Sequence, residues 1–108
     1  MPSAKTQGTQ TTTVPTEHTL ATITDAGNYL LYVDLNAMAK GDEVEIRAKI
    51  KVLTGGTTRQ VFIGHYVGAQ TNLVAASIPV SVAFEVIFTL NQTAGSSRSI
   101  PWEVIDMA

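Results

Sequence analysis

The chain has 108 residues, enough for one hydrophobic core and too few for a second domain holding a second activity. It contains no cysteine, which excludes disulfides and thiolate metal sites, and its formal net charge of −2 does not supply the basic stripe a nucleic-acid binder needs. Only 15% of its residues are charged, against roughly 25% in ordinary domains, so its surface is largely Thr, Ser, Asn, Gln and Gly, which meets other protein surfaces at little desolvation cost and leans towards assembly.

Residues 1–17 hold Thr, Gln, Gly and Pro with little apolar beyond Val14. Such a segment cannot repay its ordering entropy by burying itself, so it reads as an extended N-terminal arm, with the folded domain spanning 18–108. Thr9, Thr11, Thr12, Thr13, Val14 and Pro15 are its candidate interface residues, mobile in the free subunit and ordered along a neighbour. The opening MPSAKTQGTQ has no apolar export core, and no stretch approaches the ~18 apolar residues of a membrane helix. A product made in a cytoplasm, with no membrane partner, is expected.

His18 to Thr24 is the first predicted strand, ended by the turn signal Asp25-Ala26-Gly27. Asn28 to Leu35 has two largely apolar faces, as a central strand would. NAMAKG, at 36–41, is too short to stand as a helix and joins this strand to the next. That next stretch, DEVEIRAKIKVL, carries the strongest periodicity in the chain: Val44, Ile46, Ala48, Ile50 and Val52 share one parity, and Glu43, Glu45, Arg47, Lys49 and Lys51 the other. Alternation of period two makes a strand with one face on a core and one face wetted or met by a polar partner.

Thr54-Gly55-Gly56-Thr57-Thr58 marks a hairpin returning through Arg59 to Val67, a strand that Gly64 and Gly68 weaken, each a candidate bulge position. The loop lacks the spacing and the lysine of a phosphate-binding loop. Gln70 to Ser77 fits either a short strand or an irregular crossing. From Val80 to Leu90 the alternation returns with Val80, Val82, Phe84, Val86, Phe88 and Leu90 on one face, a ladder bulky enough to demand a second layer. A loop at 92–97 leads to the last strand, Ser99 to Ile105, with Ile100, Trp102 and Val104 inward; Pro101 places it at an edge or a bulge. Phe84, Phe88 and Trp102 are the expected core anchors. These strands and turns predict an all-β fold, a small antiparallel β-sandwich or jelly-roll-like barrel.

No constellation for chemistry emerges. His18 and His65 are far apart in sequence, and His65 shares the parity of Val61, Ile63 and Val67. Asp34, Asp42, Glu43 and Glu45 do not fit a Ca²⁺ loop, and Asn91-Gln92-Thr93 matches a glycosylation acceptor that matters only after export. Trp102, Tyr32, Tyr66 and Phe62 could make an aromatic sugar platform. No catalytic residue, metal ligand or cofactor is therefore expected, and the chain reads as a non-enzyme.

Asp25-Ala26-Gly27 with Tyr29, Val33-Asp34, Met38-Ala39, Gly41-Asp42 and Glu45-Ile46-Arg47, followed late in the chain by Leu90, Gln92-Thr93, Gly95, Arg98 and Pro101-Trp102, resemble small virion structural proteins of tailed bacteriophages. The likeness spans about Thr19 to Val104 and rests on turn and strand residues. It implies a β-sandwich in the virion that decorates and cements the capsid, with the major capsid protein or other virion proteins as partners and a homo-oligomer, a trimer among the options, as its working form. It equally allows a tail or head-to-tail subunit, or a carbohydrate- or receptor-binding module of a tail fibre.

Overall fold

The computed structural model describes residues 3–53 and 55–107; Met1 and Pro2 of the expected arm, Thr54 of the expected hairpin loop, and Ala108 lie outside the described residues. Within them run nine strands: β1 (Ser3–Thr11), β2 (Glu17–Ile23), β3 (Gly27–Asp34), β4 (Glu43–Ile50), β5 (Arg59–Val67), β6 (Val74–Ala76), β7 (Val80–Val82), β8 (Val86–Ala94) and β9 (Ser99–Asp106). One antiparallel sheet has the order β1-β9-β3-β6, with β7 also on β3; the other has the order β2-β8-β4-β5. The protein is thus an all-β sandwich of two antiparallel sheets.

Its pairings are nested. β4 pairs with β5, β3 with β6 and β7, β2 with β8, and β1 with β9, so the chain is one long hairpin whose tip is the β4–β5 turn, rolled until its two legs form two sheets. That is jelly-roll connectivity. β6 and β7 are two halves of one strand, lying against Tyr32–Asp34 and Gly27–Tyr29 of β3 respectively. Pro79 interrupts the ladder between them, and Ser77 mends it: its N–H donates to Leu31 O at 2.9 Å, and its hydroxyl accepts the Leu31 N–H at 3.0 Å.

The alternation of β4 is realised as read. Val44, Ile46 and Ala48 are fully buried, and Glu43, Glu45, Arg47 and Lys49 lie on the outer face. Val86, Phe88 and Leu90 of the neighbouring β8 share the inner face, and Tyr29, Leu31 and Val33 of β3 with Ile100 and Val104 of β9 come from the other sheet. β4 ends at Ile50, so Val52 follows the strand into the hairpin turn and is exposed.

Three expectations are corrected. Within the expected arm, Ser3–Thr11 do not stand off the domain: they are β1, hydrogen-bonded along β9 from Ser3↔Asp106 to Thr11↔Ser99. Main-chain pairing supplies what the side chains of this polar segment lack. The ladder from Val80 to Leu90 is not one strand either. β7 belongs to the β3 sheet and β8 to the other, and the chain crosses between them at 83–85. Phe84 falls in that crossing and is 37% exposed, so it is no core anchor, whereas Phe88 is fully buried and Trp102 is half-buried against the core. Finally, β8 continues to Ala94, through Gln92 and Thr93 of the expected loop, since both can pair on β4 while the turn is left to Gly95 and its successors.

β9 lies between β1 and β3, not at an edge, yet its ladder with β3 stops at Val33↔Trp102. Pro101, one residue further, has only β1 as a paired neighbour, through Thr9. The local edge its missing N–H demands is therefore present, and it opens a gap on the outside of the sheet.

Candidate functional site

At one end of the sandwich a buried polar cluster ties three turns together. Asp42, 1% exposed, accepts the Ala39 N–H at 2.9 Å, the Ser96 N–H at 3.1 Å and the Arg98 Nε–H at 2.8 Å. Burial pushes its carboxyl upward, but the bonds from Ala39, Arg98 and Ser96 together outweigh this and hold it below the ordinary aspartate value. Gln92, fully buried, donates to Ala94 O at 3.0 Å and Ser96 O at 2.7 Å and accepts from the Thr12 hydroxyl. Thr12 accepts the Arg98 N–H at 2.8 Å and gives its own N–H to Arg98 O. Gly95 allows the closure: it has φ +97°, and a Cβ there would collide with the Asp42 carboxylate. The Asp42 carboxylate, the Gln92 amide and the Thr12 hydroxyl are all engaged within the cluster, which makes it a clasp between turns.

The outer face of the β4 sheet carries a charge lattice. Glu17 receives the Thr89 hydroxyl at 2.6 Å, with Lys49 Nζ at 3.2 Å and Arg47 Nη1 at 3.6 Å; Arg47 Nη2 also donates to Glu45 at 2.8 Å. The Thr89 bond is the main cause of a lowered Glu17 carboxyl, with Lys49 and Arg47 adding to it against partial burial. The outward row thus pairs with Glu17, the last residue of the expected arm, which is the first residue of β2. Beside it, β5 is the edge strand, with Val61, Ile63 and Val67 exposed at 43, 45 and 60%.

The gap beside Pro101 is a groove of about 380 Å³ lined by Tyr32, Asp34, Val74, Pro101, Trp102 and Glu103. Tyr32 and Glu103 are cross-strand partners on β3 and β9, and Val74 pairs with Asp34. Of the aromatic residues expected to share a platform, Tyr32 and Trp102 meet here. Tyr66 and Phe62 do not: they sit on β5 in the other sheet and pack on the core.

The remaining candidates disperse. Nε2 of His18 accepts the Thr13 N–H at 3.1 Å, while His65 faces Glu43 at 3.3 Å on β5, and no group of three or more His, Asp or Glu that could hold a metal occurs among the described residues. Of the expected interface residues, Thr12 is buried in the clasp, Thr9 and Thr11 are exposed on β1, and Thr13, Val14 and Pro15 form the turn into β2, with a cis Val14–Pro15 bond. The clasp left no signal in the sequence, because its partners are polar residues 54 to 86 positions apart.

Fold and surface together define a small antiparallel β-sandwich with open edges and an apolar groove beside Pro101. The chain matches no family model, and no curated protein or solved structure matches it.

Proposed function

We propose that this chain is a non-enzymatic structural subunit of a tailed-bacteriophage virion, a decoration or cement protein seated on the major capsid lattice. The observation that supports this reading best is β5: a nine-residue strand at the open edge of its sheet, with Val61, Ile63 and Val67 exposed. Such an edge presents unpaired main-chain groups and apolar side chains together, which suits the addition of a strand from a partner. Repetition by lattice symmetry would turn weak contacts of this kind into firm attachment. The N-terminal segment contributes as β1, the edge of the opposite sheet, and not as a loose tether. Jelly rolls serve as capsid proteins and also as lectins, so topology alone does not select the role.

The test is gold-labelled antibody against the chain on intact particles of the phage that encodes it. Regular labelling over the head is expected. Label confined to the tail, or none on particles, refutes the decoration role, and tail labelling would assign the subunit to the tail or the head-to-tail region instead.

A further inference from the structure

The groove over Tyr32 and the tip of the β4–β5 hairpin stand at opposite ends of the molecule. β3 begins beside Ile23, whose partner Val86 also pairs with Ile50 where β4 runs out into the hairpin; β3 ends at Asp34, in the groove. Eight residues of strand separate the two ends, about 25 Å.

Their chemistry is complementary. The groove has an apolar floor, with Tyr32 37% and Val74 57% exposed, and its charged groups are the carboxylates of Asp34 and Glu103, with no basic side chain among its lining. Asp34 Oδ1 takes the Asn36 N–H, while Glu103 forms no ion pair among the described residues. The groove thus presents two carboxylate acceptors beside aromatic faces, with the Tyr32 hydroxyl and the Trp102 indole N–H as its side-chain donors. An arginine suits it: it has five donors and no acceptor, an apolar stem, and a planar head that stacks on aromatic faces.

The chain has three arginines. Arg47 is held by Glu45 and Glu17, and Arg98 by Asp42. Arg59 is exposed, without an ion pair among the described residues, at the base of the hairpin whose Val52 and Leu53 are 75 and 70% exposed, the most exposed large apolar side chains described. We propose that the groove of one copy receives the β4–β5 hairpin of a second copy, with Arg59 over Tyr32 and Trp102 and between Glu103 and Asp34, and with Val52 and Leu53 on the apolar rim. Because hairpin and groove lie at opposite ends, the contact is head-to-tail, and each copy engages two neighbours in a ring or an open row. This contact does not depend on the virion reading, since it is a property of the purified chain.

Sedimentation velocity of the full chain over a range of concentrations tests it, with fluorescence of Trp102, the sole tryptophan, reporting groove occupancy. Arg59→Gln disables the hairpin and Glu103→Lys the groove; each should weaken self-association by about tenfold or more, as expected for losing a charged hydrogen bond. Circular dichroism checks that both fold, and Val52→Asp is a second, independent hairpin variant. Mixed one to one, Arg59→Gln and Glu103→Lys chains retain one intact groove and one intact hairpin between them, so association should stop at pairs. A wild-type chain that stays monomeric throughout overturns the proposal. So does a mixture that grows to wild-type oligomers, or association lost in Glu103→Lys but unchanged in Arg59→Gln and Val52→Asp, which would put another segment in the groove.

Discussion

Replacing Asp42 by alanine removes the acceptor at the centre of the clasp. Two backbone N–H groups, of Ala39 and Ser96, lose their partner in a site where Asp42 is 1% exposed, and the Arg98 guanidinium loses its counter-charge. Each stranded donor costs about 1 to 3 kcal/mol. Arg98, at 30% side-chain exposure, recovers part of its loss from water. The sum is on the order of 3 to 5 kcal/mol, a large share of the ~5 to 15 kcal/mol that holds a domain of this size together. At ~4 to 8 °C per kcal/mol, the melting temperature should fall by on the order of 20 °C. Thermal and urea unfolding followed by Trp102 emission measure this. The folded carboxyl lies below its unfolded value of about 3.9. Its contribution is therefore complete above that pH and is lost as pH falls through the folded pKa, so Asp42→Asn should show a shallower loss of stability on acidification than the wild type. A cost below ~1 kcal/mol for Asp42→Ala, or an unchanged acid limb in Asp42→Asn, would refute the clasp as a stabilising element.

Three further outcomes follow from the packing. Deleting residues 1–16 removes β1 and Thr12, uncovers one edge of β9 and empties part of the clasp, so the shortened chain should melt well below the full one in calorimetry; an unchanged melting curve would mean that β1 is held too weakly to matter. Phe88→Ala, at a fully buried site, should cost about 3 to 5 kcal/mol in denaturant titrations, while Phe84→Ala in the exposed crossing should cost under ~1 kcal/mol. Arg47→Ala, which loses two partly exposed ion pairs, should cost about 1 kcal/mol or less, and equal losses in high and low salt would argue against an electrostatic origin.

What could be read from the sequence was whatever depends on local alternation. The two faces of β4, the strands β2, β3, β5 and β9, and the hairpin at Gly55-Gly56 all follow from period-two patterning and turn residues. The pattern misled where it outlived the strand: Phe84 keeps the parity of Val82 and Val86, but period two cannot reveal that the chain changes sheets between them. β1 escaped because its pairing lies in the main chain, and a polar TQGTQT edge has no apolar face to announce it. The clasp and the groove escaped for a different reason. Both are assembled from residues whose meeting is fixed by topology, Asp42 with Arg98 and Tyr32 with Glu103, and neither partner is marked by its own surroundings in the sequence.

The nesting of the strand pairs sets an order of events during synthesis. The β4–β5 hairpin closes a short loop and has both legs available early, whereas β1 meets its partner only when β9, the last of these nine strands to be made, has left the ribosome. Until then the first strand travels as an unpaired thread while the rest of the roll assembles. A thread rich in valine or isoleucine would be a hazard in that interval, ready to template aggregates with its neighbours on a polysome. Thr, Gln and Gly in β1 keep it hydrated while it waits, so the same composition that makes it look like an idle tail suits a strand that must be the last to fold. Nascent chains stalled before Ser99 should accordingly be clipped by protease within residues 3–11, and chains released past Asp106 should resist.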